Sequence, residues 1–158
     1  FDARSVSDWE AIPAALLIGD KVRTLAPSLS AHPHRLDMGA AWRELTGLPF
    51  VFACWMCLAD RAHSEAVAVA ALTLDRQRRR NALRLDAVAC AEGPGHGWPV
   101  DEARSYLTQS LHYDMGQRER QAVETFWSMA VETGVARAPA QRPVWLRLDE
   151  MRVSPCLR

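Results

Sequence analysis

Ala14-Ala15-Leu16-Leu17-Ile18-Gly19-Asp20 is the stretch on which the fold reading turns. An unbroken apolar run stops at a Gly-Asp pair. That pattern suits a strand buried on both faces, as in a parallel sheet. Pro49-Phe50-Val51-Phe52-Ala53-Cys54-Trp55 reads the same way, since it is rich in residues that fit a pleated, half-buried surface.

The rest of the chain reads as helix and loop. Lys21 to Leu25 begins a short helix that Pro27 stops, and residues 28–35 are loop with Pro33 inside. Asp37 accepts orphan backbone N–H groups at the start of a helix through Leu45, and Gly47 is its natural stop. Residues 64–91 are helical, with a stripe of Val67, Ala70, Ala71, Leu74, Leu83, Leu85 and Val88 and a loosened turn within 77–81. Gly93-Pro94-Gly95-His96-Gly97 is a loop. Pro99 then opens a helix to about Leu111, with Asp101 and Glu102 near its positive end. Gln117 to Glu132 forms the last helix, with Val123, Phe126, Trp127 and Ala130 on its apolar face and Gly134 ending it. Two strands and about four helices are too few strands for a self-sufficient α/β domain. The expectation is a chain cut from something larger.

Composition excludes several functions. The 158 residues are 49% hydrophobic and 24% charged, enough for a globular core. Lys+Arg and Asp+Glu are both 19, and the isoelectric point is near 7.1. No global basic field draws in nucleic acid or an anionic membrane. The longest apolar runs, 11–19 and 48–59, are well short of the roughly 20 residues that span a bilayer. No charged n-region precedes an apolar stretch, so a cytoplasmic protein is expected. Cys54, Cys57, Cys90 and Cys156 then read as reduced thiols. Cys54-Trp55-Met56-Cys57 is a C-x-x-C, but in a strand its thiols point to opposite faces. His32, His34 and His63 add no regular ligand spacing, so no metal site is expected. Arg76 and Arg78 to Arg80 read as a solvated helix face.

Three stretches together resemble the chorismate dehydratases of menaquinone biosynthesis, enzymes of the futalosine pathway. The first is Ala14 to Asp20. The second is Leu36-Asp37-Met38-Gly39 followed by Trp42-Arg43-Glu44-Leu45-Thr46-Gly47-Leu48-Pro49-Phe50-Val51-Phe52-Ala53 and Trp55. The third is Tyr106-Leu107 with Tyr113-Asp114-Met115-Gly116. Gly19-Asp20 and Phe50-Val51-Phe52 favour the dehydratase branch over the sister enzyme of the same pathway. The resemblance covers residues 9–135 and implies the C-terminal portion of a two-lobed, periplasmic-binding-protein-like (type II) α/β fold. On that mapping 1–36 ends the second lobe, 37–135 returns to the first lobe and supplies its C-terminal helices, and 136–158 is an irregular tail. The missing part lies on the N-terminal side.

The implied reaction is a lyase step, dehydration of chorismate to 3-[(1-carboxyvinyl)oxy]benzoate. It uses no cofactor, and chorismate is the small-molecule partner. Elimination needs a base near a ring C–H, help for the leaving hydroxyl, and donors for two carboxylates. The candidate substrate-binding residues are Gly19, Asp20, Thr46, Phe50 and Phe52; the catalytic base is not assigned. Gly19 lets backbone approach a ligand, and Asp20 orients a hydroxyl or a neighbouring donor, or else caps the following turn. Phe50, Phe52 and Trp55 wall a site or fill a core. Thr46 donates to a carboxylate or finishes its helix, and Tyr113 touches ligand or packs. Two function classes stand: the dehydratase, incomplete in this chain, and a non-catalytic remnant or small-acid-binding module. Exposed sheet edges would favour self-association or a missing N-terminal lobe as partner.

Overall fold

A computed structural model describes Trp9, residues 11–138 and residues 143–151. The opening segment 1–8, Cys156 and parts of the tail lie outside the described residues. Among the described residues there are six α-helices: α1 (Lys21–Thr24), α2 (Met38–Thr46), α3 (Glu65–Ala82), α4 (Leu85–Glu92), α5 (Val100–Ser105) and α6 (Gln117–Glu132). Two compact units share them. Residues 1–38 and 84–112 form one, and residues 39–83 and 113–158 form the other.

The first unit is organised by small residues. Ala89 of α4 is completely buried and Ala103 of α5 is 5% exposed. Between them in sequence Gly93 ends α4. A Cβ built on Gly93 would lie 2.6 Å from the Ala89 carbonyl oxygen and 3.0 Å from the Ala103 Cβ. Only a hydrogen side chain lets α4 and α5 approach this closely. Arg104 of α5 pairs with Asp86 of α4 and with Asp101, so a charged rim closes over the small-residue seam. Such exposed pairs add little stability; the seam itself supplies the specificity. Beyond α5 the backbone widens into one π turn over Tyr106–Ser110.

The second unit is organised by aromatic residues. Trp42 of α2 is its one large buried side chain among the described residues. The indole N–H of Trp42 donates to the Pro49 carbonyl at 3.1 Å. Its ring meets Phe50 and Phe126 of α6 edge to face, with centroids 6.0 and 5.5 Å apart. That geometry suits ring quadrupoles and adds to the area burial. Arg118 of α6 donates to the Gly47 carbonyl at 2.7 Å, satisfying a carbonyl just past the end of α2. Ser64 caps α3 by accepting from the Val67 N–H. On α3 the Asp75 carboxylate accepts from Arg78 at 2.9 Å and pairs with Arg79 at 2.8 Å. Arg78 also pairs with Asp114. The arginine run is therefore partly tied down rather than uniformly solvated. From the tail, Trp145 donates to Glu124 of α6 at 2.8 Å and lies under the Arg120 guanidinium.

The α/β expectation is corrected. The described residues form no strand and no sheet. Residues 14–18 carry no regular secondary structure, with Leu16 and Ile18 each 71% exposed. Residues 49–55 likewise carry none, and Trp55 is 83% exposed. A strand exists only as part of a ladder, because its N–H and C=O groups point sideways toward a neighbour. Each unit holds one candidate segment, and neither segment is paired. The turn expected within 77–81 also moves: α3 continues to Ala82 and the break falls at Leu83 and Arg84. The last helix matches its expected limits.

Replacing Gly93 by Ala is expected to lower unfolding free energy by about 1–3 kcal/mol through crowding, read as an earlier denaturant midpoint. Gly95→Ala, which would place its Cβ in open space, is the control and should leave the midpoint nearly unchanged.

Candidate functional site

The site grows from Asp20, the residue at which α1 begins. Its side chain makes no capping hydrogen bond to α1. The carboxylate instead reaches residues far along the chain. The Trp98 indole N–H donates to Oδ1 at 2.8 Å, and Nδ1 of His96 lies 2.9 Å from Oδ2. An ionised carboxylate has only acceptors, so Nδ1 of His96 carries the hydrogen. A neutral His96 ring then keeps its lone pair on Nε2.

Local sequence brings these side chains together. Pro94–His96 make one 3-10 turn, and Gly97 follows in the left-handed region at φ 76°. That conformation reverses the chain, so the Trp98 N–H donates back to the Gly93 carbonyl at 2.9 Å. His96 and Trp98 are thereby presented to the same carboxylate. A Cβ at position 97 would also lie 3.2 Å from Thr24 Cγ2 of α1, so the absence of a side chain seats the turn. The ring of Trp98 stacks on Tyr106, with centroids 5.1 Å apart and planes 29° from parallel. Arg23 of α1 and Glu102 of α5 form an ion pair at 2.6 Å.

Both hydrogen bonds favour the charged form of Asp20. The Trp98 indole is the larger cause and His96 the next, and together they hold the carboxyl below the usual carboxylate range against a smaller opposing effect of desolvation. Asp20 and His96 remain 50% and 60% exposed, so a ligand has access to both.

The same unit contains a groove of about 530 Å³ lined by Trp9, residues 11–18 and Lys21. Its walls are largely apolar, and Lys21 is its one cationic side chain among the described residues. Trp9 is held in place by the His32 ring, which lies edge to face against it at 6.0 Å and hydrogen-bonds its carbonyl.

The residues singled out from sequence fall into two sets. Gly19 and Asp20 belong to this unit, and Gly19 sits in a turn at φ 66°. Thr46, Phe50 and Phe52 belong to the second unit. The Thr46 hydroxyl donates to the Trp42 carbonyl at 2.8 Å and accepts from the Leu48 N–H at 3.1 Å. Phe50 is half-buried between Trp42, Phe126 and Phe52, whereas Phe52 is largely exposed. Cys54 and Cys57 are free thiols. Sequence reading missed Lys21, His96 and Trp98. The only signal was the glycine-rich loop 93–97, whose density of glycine marks a backbone forced into a tight path.

Asp20→Asn checks the electrostatics by acid denaturation. A folded-state pKa below the unfolded value gives stability that is present above about pH 4 and lost as pH falls through the folded value. The wild-type chain should therefore lose more stability between about pH 5 and pH 2 than Asp20→Asn. Equal losses would show that the carboxylate gains nothing from its two partners.

A family model described as menaquinone biosynthesis matches residues 5–132 of the chain. No solved structure matches it.

Proposed function

We propose that this chain, which belongs to the menaquinone-biosynthesis family, acts in that pathway as a hydro-lyase that removes water from chorismate to give 3-[(1-carboxyvinyl)oxy]benzoate. The observation that carries this reading is the apolar groove with Lys21 as its cation, next in sequence to a carboxylate already committed to a histidine and an indole. Chorismate is a cyclohexadiene that carries a hydroxyl, an enolpyruvyl ether and, in all, two carboxylates. Apolar walls with a few placed polar groups are what a small-molecule site of this kind requires. Lys21 supplies charge for one carboxylate. Asp20 keeps its negative charge, held by the Trp98 and His96 donors, and so disfavours direct contact with a substrate carboxylate.

The chemistry asks for little beyond this. The ring of chorismate becomes aromatic when water leaves, so the driving force lies in the substrate. The protein has to hold the ring, accept one proton and assist one hydroxyl. The described residues contain no helix long and apolar enough to cross a membrane.

Incubating the folded 158-residue chain with chorismate should yield a product lighter by one water, detected by mass spectrometry. Lys21→Gln should raise KM by roughly tenfold or more, the loss of one charge-assisted contact. A helical chain that binds chorismate without product would instead identify a small-acid-binding module. A helical chain that neither binds nor turns over chorismate would overturn the proposal.

A further inference from the structure

Cys54 and Cys57 are both free thiols, Cys54 half-buried and Cys57 exposed. In a strand they would point to opposite faces, because side chains alternate sides along it. The described residues form no strand, so that constraint is lifted. Residues 51–57 carry no regular secondary structure. Among the described residues, none shares a backbone–backbone hydrogen bond with them. Phe52, Trp55 and Met56, beside and between the thiols, are all largely exposed. The fixed points lie at the two ends. Upstream, Phe50 is half-buried against Trp42 and Phe126. Downstream, the Arg61 N–H donates to the Leu58 carbonyl at 3.0 Å, and Ser64 caps α3.

This freedom decides what the pair can do. Three fully extended residue steps separate two α-carbons by roughly 10 Å, whereas a disulfide needs roughly 4.4–6.8 Å. Residues 54–57 must therefore fold into a turn to join their sulfurs. That turn breaks no backbone ladder and withdraws no fully buried side chain. We propose that Cys54 and Cys57 form a reversible dithiol–disulfide site whose substrate is a low-molecular-weight disulfide such as glutathione disulfide. The site stands apart from the groove at Lys21 and does not rest on the chorismate reading. Cys57 reacts first because it is the more exposed thiol. Its thiolate attacks one sulfur of the small disulfide and forms a mixed disulfide. The other half of the reagent leaves as a thiolate and takes up the proton that Cys57 lost. The Cys54 thiolate then attacks the Cys57 sulfur, closes the intramolecular bond and expels the second half as a thiol. Two protein thiols are oxidised, one small disulfide is reduced to two thiols, and no further reactant is needed. Cys54 resolves the mixed disulfide because a short tether gives it a high effective concentration. Cys90, exposed on α4, has no second cysteine beside it in sequence and stops at the mixed disulfide.

The test uses the reduced 158-residue chain, incubated with glutathione disulfide, quenched with iodoacetamide and cut with trypsin. Residues 44–61 hold both thiols with no Lys or Arg before Arg61, and residues 85–104 hold Cys90. Peptide 44–61 should be recovered unalkylated and lighter by two hydrogens than its dithiol form, while peptide 85–104 carries glutathione. Dithiothreitol should restore both thiols, and circular dichroism should stay helical throughout. Cys54→Ser should accumulate glutathione on Cys57. Cys57→Ser should react several-fold more slowly, through Cys54 alone. Peptide 44–61 recovered with both thiols alkylated would overturn the proposal. So would glutathione remaining on wild-type Cys57 at equilibrium, or disulfides between chains or to Cys90 in place of the Cys54–Cys57 bond.

Discussion

The close approach of α4 and α5 at Gly93 is the constraint from which the first unit follows. At Gly93 even a methyl group would crowd the Ala89 carbonyl oxygen and the Ala103 Cβ. Packing of this kind is intolerant of added volume because protein interiors are as dense as organic crystals. The turn that leaves this seam must reverse at once, and Gly97 permits the reversal. His96 and Trp98 therefore reach Asp20 as a consequence of helix packing elsewhere. The polar cluster follows the small-residue seam directly in the chain.

The second unit solves the same problem by a different route. One large ring, Trp42, is buried and two phenylalanines meet it edge to face. Its remaining polar atom, the indole N–H, is spent on the Pro49 carbonyl. This ties the chain that follows α2 to the α2 surface. Thr46 and Arg118 satisfy further backbone groups at the same helix end. A buried aromatic with its polar atom paired keeps its full hydrophobic gain.

Membership of the menaquinone-biosynthesis family could be read from the residues themselves, because Trp42 to Ala53 form a long and specific stretch. Within the candidate site, Gly19 and Asp20 stood out because a Gly-Asp pair ends an apolar run. The partners of Asp20 did not. They lie 76 and 78 residues away, and neither periodicity nor local spacing carries information over that distance. Lys21 was passed over because a lysine opening a short helix has no distinguishing pattern; its place on an apolar groove is a property of the folded chain.

The sequence by itself placed the helices, because their signals are local, although not the break between α3 and α4 or the end of α5. Ser64 with the residues after it, Gly47 beyond α2 and the amphipathic period of Gln117–Glu132 each act within a few residues through capping, backbone freedom and the 3.6-residue repeat. The strands were the opposite case. Apolar, β-forming stretches at 14–18 and 49–55 supply the right side chains, but a strand is a relation between two segments, and the described residues provide no partner for either. Tertiary structure alone decided that these stretches remain unpaired, that Asp20 turns from its own helix to His96 and Trp98, and that small residues order one unit while aromatic rings order the other. In each case the deciding contact joins residues distant in the chain, and its energy depends on packing that no local pattern encodes.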